Sequence, residues 1–311
     1  MELRRVGASG LKVSEIGLGC NNFGMRIDQD QTSAVVAAAL DAGIDFFDTA
    51  DVYGGAQSEV MLGKALGAKR RDVIVATKFA MPMGGSPHMR GGSRRYVMSA
   101  VEASLTRLGT DYIDLYQMHA PDADAPIEET LGALDDIVRA GKARYVGCSN
   151  FAGWLIADAD WTAKVRGLNR FITAQNQFSL LERNVAREVI PACARFGLGL
   201  LPYFPLGSGL LTGKYHRGEP APEGTRLAAG ERRAEEALSE RNFDRIEKLT
   251  AWAGERGHSL LELAFAWLLG HAVVPSVIAG ATKPEQVKAN AAAATWKLTA
   301  AEVAEVTDLV R

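Results

Sequence analysis

Cysteine is scarce in this 311-residue chain. Only Cys20, Cys148 and Cys193 occur, an odd number with no CxxC spacing. A disulfide framework or a metal site is therefore not expected, and a reducing compartment fits. Neither sign of charge dominates: 35 Lys and Arg against 37 Asp and Glu leave a net charge of −2. The basic excess usual for nucleic-acid or membrane-surface binding is missing, which still leaves room for a local basic pocket around a phosphate. Long apolar runs are missing too. The most apolar stretch, Leu260 to Val274, is interrupted by Glu262, Gly270 and His271. It reads as a buried helix and a following strand, too short and too broken to span a bilayer. The opening MELRRVGASG lacks the apolar core of a signal peptide. The expectation is a soluble, cytoplasmic protein that meets a small molecule, with no nucleic-acid, membrane or metal partner.

A glycine-rich dinucleotide fingerprint is also lacking. The first apolar run is followed by GLGCNNFG, which does not fit GxGxxG, and GSGLLTG near Gly207 fails as well. Any dinucleotide would be held without a doubly wound Rossmann sheet.

What is present is a series. After a hairpin signal around Ala8-Ser9-Gly10, eight short apolar runs follow: EIGLG, GIDFFDT, DVIVATK, YIDLYQMH, ARYVGCS, FITAQN, LGLLPY and VVPSVIAG. Helical or loop-like sequence separates them, with a first helix from about Gln29 to Ala42 and a second ending near Gly67. Such alternation implies parallel strands. Eight repeats and this length favour a closed (β/α)8 TIM barrel with an N-terminal β-hairpin over an open sheet. Apolar residues at 47% suffice for a full core without staples. No linker divides the chain, so residues 1–311 read as one barrel domain. The longest irregular stretch, Leu206 to about Ser239, ends in the charged ERRAEEALSER. It reads as a solvated surface helix, an active-site lid, or both.

In such barrels the chemistry sits at the C-terminal ends of the strands. Asp48 closes the second run, Lys78 the third and His119 the fourth, with Tyr53 just past Asp48. Singly, each has an ordinary reading: Asp48 a cap, Lys78 a strand end reaching solvent, His119 a core histidine, Tyr53 packing with a wet hydroxyl. Together, at successive strand ends, they suit general-acid chemistry on a carbonyl. An ammonium beside a tyrosine favours the phenolate and should lower its pKa. A carboxylate orients the ammonium, and a histidine donates toward a developing oxyanion. Such a site needs a hydride source, which implies a nicotinamide cofactor.

With DTADVYG, SEVMLGKAL, VATK, IDLYQMHAPD, GCSNF and GATKPEQVKAN in this order, the chain resembles the aldo-keto reductases along nearly its whole length. The resemblance implies a catalytic tetrad of Asp48, Tyr53, Lys78 and His119, with Tyr53 as proton donor. Having His119 fits carbonyl reduction, because members that reduce carbon–carbon double bonds often depart there. It further implies that Gly19, Cys20 and Asn21 line the nicotinamide end of the cofactor, with Cys20 a packing residue rather than a redox centre. Ser149, Asn150 and Gln175 would meet the carboxamide, although the first two could equally be caps and Gln175 part of an internal network. Tyr203 would stack on the ring, beside Phe204 where many members have serine. Leu206, Gly207, Ser208, Gly209 and Leu210 would approach the pyrophosphate, with Lys214 near a phosphate or in solvent.

Gly280, Thr282, Lys283, Gln286 and Asn290 resemble the adenosine site, and Thr282 and Lys283 are candidates for a 2′-phosphate. NADP(H) is favoured over NAD(H) on that basis. Ala289 stands where many members have glutamate. The long C-terminal loop of the steroid- and aldose-reducing members is absent. The substrate pocket is therefore expected from Asn22, Phe23, Met25, Phe79, Met81, Phe151 and the long loop near Leu206, beside Tyr53 and His119. Two alternatives share the same residues: a sugar or alcohol dehydrogenase, and a cofactor-binding regulatory subunit like the one that accompanies potassium channels. Substrate, direction and oligomeric state stay open at this point.

Overall fold

The computed structural model describes residues 1–228 and 236–311. Residues 229–235, which carry most of the charged patch expected to be a surface helix or lid, lie outside the described residues. Strands β1 (Leu3–Arg5) and β2 (Lys12–Ser14) form the expected antiparallel hairpin, with Leu3 opposite Ser14. Gly7 turns between them with φ of +52°, where a Cβ would collide with the Gly197 carbonyl oxygen. Only glycine allows both the left-handed turn and this approach.

Eight further strands follow: β3 (Ile16–Gly19), β4 (Phe46–Asp48), β5 (Ile74–Phe79), β6 (Ile113–Met118), β7 (Ala143–Ser149), β8 (Thr173–Gln177), β9 (Gly199–Tyr203) and β10 (Val277–Gly280). All seven pairings are parallel, in the order β10-β3-β4-β5-β6-β7-β8-β9. The sheet curls into a nearly closed barrel. Beside its open seam the Leu200 N–H donates to the Val273 carbonyl at 2.7 Å. Each expected run supplies one strand, so the (β/α)8 architecture holds. The last strand is shorter than VVPSVIAG, since Pro275 lacks an N–H and ladder pairing starts only at Val277.

Helices α1 (Gln29–Asp41), α2 (Gln57–Leu66), α3 (Arg94–Leu108), α4 (Ile127–Arg139), α5 (Gly153–Arg166) and α6 (Val189–Phe196) wrap the outside, followed by helices over Glu240–Gly254, Leu260–Leu269, Pro284–Ala293 and Ala300–Leu309. Three starts are fixed by capping boxes: Asp28 with Gln31, Ser259 with Glu262, and Thr299 with Glu302. Among the described residues no helix is long and apolar enough to cross a membrane.

Strand parity divides the interior in two. Val6, Leu11 and Val13 of the hairpin pack with Phe46, Ala76, Leu115, Leu201 and Ile278 inside the barrel and plug its base. The alternate residues, such as Phe47, Val75, Tyr116 and Val146, pack outward under the helices. Continuing the inward parity along each strand leads to Asp48, Lys78, Gln117, Ser149, Gln175, Tyr203 and Gly280. Space at this rim is tight: a Cβ on Gly147 would overlap the Thr173 hydroxyl and lie 3.2 Å from Gln117 Cγ.

Candidate active site

The centre of the rim is a buried ion pair. Lys78 Nζ donates to Asp48 Oδ1 at 2.6 Å and to the Thr49 carbonyl at 2.8 Å, and Lys78 has no exposed surface. Asp48 Oδ2 accepts from Gln175 Nε2 at 2.8 Å and from Gln117 Nε2 at 3.3 Å. Thr173 in turn donates its hydroxyl to Gln117 Oε1 at 3.1 Å. The carboxylate is thus satisfied on both oxygens, as a buried charge requires. Burial works to lower the Lys78 pKa, but Asp48 and then Tyr53 outweigh it and raise it above the ordinary value.

Tyr53 stands in front of this pair. Lys78 Nζ lies 5.1 Å from the centre of its ring, and the His119 ring meets it edge-on at 5.6 Å. The expected fall in the Tyr53 pKa does not occur. Burial raises it, Lys78 opposes that rise, and Asp48 adds to it, so the net shift is upward. Desolvating a phenolate costs more here than one already-paired ammonium returns. For His119, burial first and the Lys78 charge second depress the pKa to about 3, so the ring is neutral at ordinary pH. Its Nδ1 is buried with no hydrogen-bond partner among the described residues.

Asp48, Tyr53, His119 and Gln175 line one cavity of about 980 Å³, while Lys78 and Gln117 lie behind its wall. Its wall brings together most of the residues singled out in the sequence. Gly19, Cys20, Asn21, Asn22, Asp48, Tyr53 and Met81 line it, with His119, Ser149, Asn150, Gln175, Tyr203, Phe204 and Leu206. Ser208, Gly209, Lys214, Gly280, Thr282, Lys283, Gln286 and Asn290 continue the same wall. Asn150 lies in the left-handed region with φ of 61°; its amide donates to the His119 carbonyl at 2.9 Å and accepts from Tyr203 Oη at 2.8 Å. The Ser149 hydroxyl donates to the Gln175 carbonyl at 2.9 Å. Gln286 Oε1 accepts from the Thr282 amide at 2.8 Å. Burial pushes the Cys20 thiol well up, which suits packing rather than redox chemistry.

Other expected positions fall elsewhere. Phe23, Phe79 and Phe151 do not line this cavity; each is essentially fully buried in the core. Phe79 follows Lys78 on one strand, so it must point to the opposite face, where it stacks on Tyr116 at 4.9 Å. Phe151 packs edge-on against Phe171. Met25 projects to solvent outside the cavity. Leu210 is buried, and Gly207 faces Leu181. Within the turn at Gly207–Thr212, the Gly207 and Gly209 amides donate to Phe204 and Leu206 carbonyls. Phe204 and Ser208 adopt φ of 50° and 59°. Non-glycine residues in this region store about 1–3 kcal/mol each, a pattern found at ligand sites.

Three residues were missed by sequence reasoning. Gln117 was hidden inside an apolar strand; its even spacing from His119, two positions on, is the signal. Arg26 and Arg226 both line the cavity, and among the described residues neither has a carboxylate partner. Arg226 lies 5.3 Å over the Phe204 ring, and its pKa is lowered by burial and then by Arg26. A lone arginine in the Pro- and Gly-containing stretch GEPAPEGTRL was the available cue.

A family model described as the aldo/keto reductase family matches residues 15–311. The chain belongs to that family. A protein named uncharacterized oxidoreductase YrpG, from Bacillus subtilis (strain 168), is 39% identical, covering 93% of this chain and 89% of its own length. A probable voltage-gated potassium channel subunit beta from Oryza sativa subsp. japonica is 37% identical over 93% of this chain and 90% of its own. Versiconal hemiacetal acetate reductase from Aspergillus parasiticus is 34% identical over 97% and 95%.

Proposed function

We propose that this chain is an oxidoreductase that reduces an aldehyde or ketone with NADPH, using Tyr53 as general acid and residues 1–311 as a single catalytic domain. The observation that carries the reading is the buried Lys78–Asp48 pair held behind Tyr53 and a neutral His119 at one cavity. The residues fit a nicotinamide dinucleotide: amide and hydroxyl groups of Ser149, Asn150 and Gln175 lie near the tetrad, and Arg26, Arg226, Lys214 and Lys283 supply positive charge for phosphates along the same cavity. When bound, the cofactor supplies the hydride.

The chain's own residues handle the proton. Tyr53, kept protonated by burial, gives its hydroxyl proton to the carbonyl oxygen as that oxygen takes up negative charge. Lys78 then stabilises the phenolate left behind, and Asp48 holds Lys78 in place. Neutral His119 donates a ring N–H to the same oxygen; a cation there would have to be desolvated first. Lys283 and Thr282 favour NADPH over NADH. The substrate would draw on Asn22, Met81 and Phe204 of the cavity wall rather than on the three core phenylalanines.

The test is NADPH oxidation with a panel of aldehydes, comparing the parent protein with Tyr53→Phe. Turnover should fall by about 10³-fold or more, within the 10²–10⁴ range of general acid catalysis, while NADPH binding persists. Full activity in the variant would remove Tyr53 as the acid. The kinship to proteins named as potassium channel beta subunits favours a second reading, a cofactor-binding regulatory subunit. Tight NADPH binding with no turnover on any carbonyl would support that reading instead.

A further inference from the structure

Helix α5 carries an apolar face that the barrel does not use. Trp154, Trp161 and Val165 are 65%, 56% and 79% exposed. Their spacings of seven and four place them on one side of the helix, with exposed Asp158 between the two indoles. Single exposed hydrophobic residues need no explanation, but three in register on one helix do. A groove of about 170 Å³ adjoins the N-terminal end of this face, lined by Phe151, Trp154, Leu155 and Ile127 with Asp122 and Asp158. Among the described residues neither exposed indole N–H has an acceptor, and Asp158 has no ion-pair or hydrogen-bond partner.

We propose that this face is the contact between two copies of this chain, with their α5 helices antiparallel about a two-fold axis between Asp158 and Trp161. A two-fold contact needs a self-complementary surface, in which residue i meets j and j meets i. The α5 sequence meets that condition in one orientation. Antiparallel pairing sets Trp154 against Val165 of the partner subunit, apolar on apolar. It also sets Trp161 against Asp158 of the partner subunit, an indole that can only donate against a carboxylate that can only accept. Both pairs are generated twice.

Charge points to the same orientation. The N-terminal half of the face carries Asp158 and the groove carboxylate of Asp122. The C-terminal half is flanked by Lys164, Arg166 and Arg170 against the two carboxylates Asp160 and Glu128, which leaves this end net basic. Antiparallel packing brings acidic end to basic end twice, whereas parallel packing would oppose like charges. Val165 of the partner subunit then reaches the apolar groove beside Trp154. Four largely exposed indoles, at ~150–250 Å² each when fully buried, supply about a third of a standard ~1,600 Å² interface. The proposal rests on the outer surface alone and is independent of the reaction at the barrel mouth.

Sedimentation velocity of the full chain across the micromolar range tests it. The parent protein should pass from monomer to dimer, and Trp161→Glu should stay monomeric with an unchanged circular dichroism spectrum. Trp161→Phe keeps the ring but loses the donor, and should weaken the dimer several-fold. A mixture of Trp154→Cys and Val165→Cys chains should cross-link to each other faster than either does to itself; the three native cysteines are buried. A parent protein that is monomeric throughout, a dimer that survives Trp161→Glu, or cross-linking dominated by like with like would overturn the proposal.

Discussion

Asp51 and His119 should hide each other's effect on stability. Asp51 is buried near the Tyr53 loop, its amide donating to the Lys78 carbonyl at 3.1 Å. Its carboxylate accepts from Tyr96 Oη at 3.3 Å, while Oδ1 finds no partner among the described residues. Burial, with Glu59 nearby, lifts its pKa from 3.8 to about 7 despite Arg107 and Tyr96. Between these values the folded state holds a proton that the unfolded state has released. Asp51 therefore lends stability at low pH that is lost as pH rises, by about 1.4 kcal/mol per pH unit. For His119 the sign is opposite. Its pKa falls from 6.5 to about 3 on folding, so the unfolded state binds the extra proton and stability is lost as pH falls across that window.

From pH 3.8 to 6.5 the two slopes nearly cancel. Asp51→Asn should uncover the histidine: its stability relative to the parent, from urea unfolding, should rise by about 2–3 kcal/mol over two pH units. His119→Asn should show the reverse slope. A difference between Asp51→Asn and the parent that does not change with pH would refute the buried, protonated Asp51.

Gln117→Leu removes a long hydrogen bond to the Asp48 carboxylate, worth about 1.5 kcal/mol at the weak end for a charged acceptor. Because Gln117 does not line the cavity, kcat should drop about tenfold with KM unchanged; a change confined to KM would exclude positioning through Asp48. Lys78→Met should cost about 3–5 kcal/mol in unfolding free energy by leaving a buried carboxylate uncompensated. Adding Asp48→Asn should recover most of that stability and none of the activity, and no recovery would mean the loss came from packing. Lys283→Ala should weaken NADPH more than NADH in fluorescence titrations, and equal losses would remove its 2′-phosphate role.

The strands, and the meeting of Asp48, Lys78 and His119 with Tyr53 at one rim, were legible from local pattern: an apolar run, a polar residue where the run ends, and Tyr53 just past one such end. What the sequence did not yield depended on direction. Lys78 and Phe79 are adjacent in the chain, yet one faces the rim and the other the helices. A count of residues near the strand end could not separate them, whereas the period of two would have. Phe23 and Phe151 lie in connections with no such period, so their burial depends on tertiary packing alone. Arg226 reaches the cavity from a connection more than twenty residues past β9, and no local pattern predicts such a return. Gln117 was legible by parity, but its role was not, because the partner it meets is sixty-nine residues away.

The Tyr53 pKa shows how contact and burial must be weighed together. Lys78 next to a phenol suggests an acid made stronger. In the folded chain the lysine already belongs to Asp48, and the negative partner raises the Tyr53 pKa while the ammonium lowers it. Burial then tips the balance upward. For a reductase this has a consequence of sign: the acid need not ionise before the carbonyl arrives, because an alkoxide is a far stronger base than phenolate. In the proposed reaction Lys78 would act afterwards, on the phenolate, with its ammonium 5.1 Å from the ring centre. Oxidation of an alcohol would need the opposite starting state, a Tyr53 already deprotonated, which burial disfavours. Under the proposed function, the burial that raises the Tyr53 pKa is expected to favour carbonyl reduction at neutral pH and to shift the reverse reaction to alkaline pH.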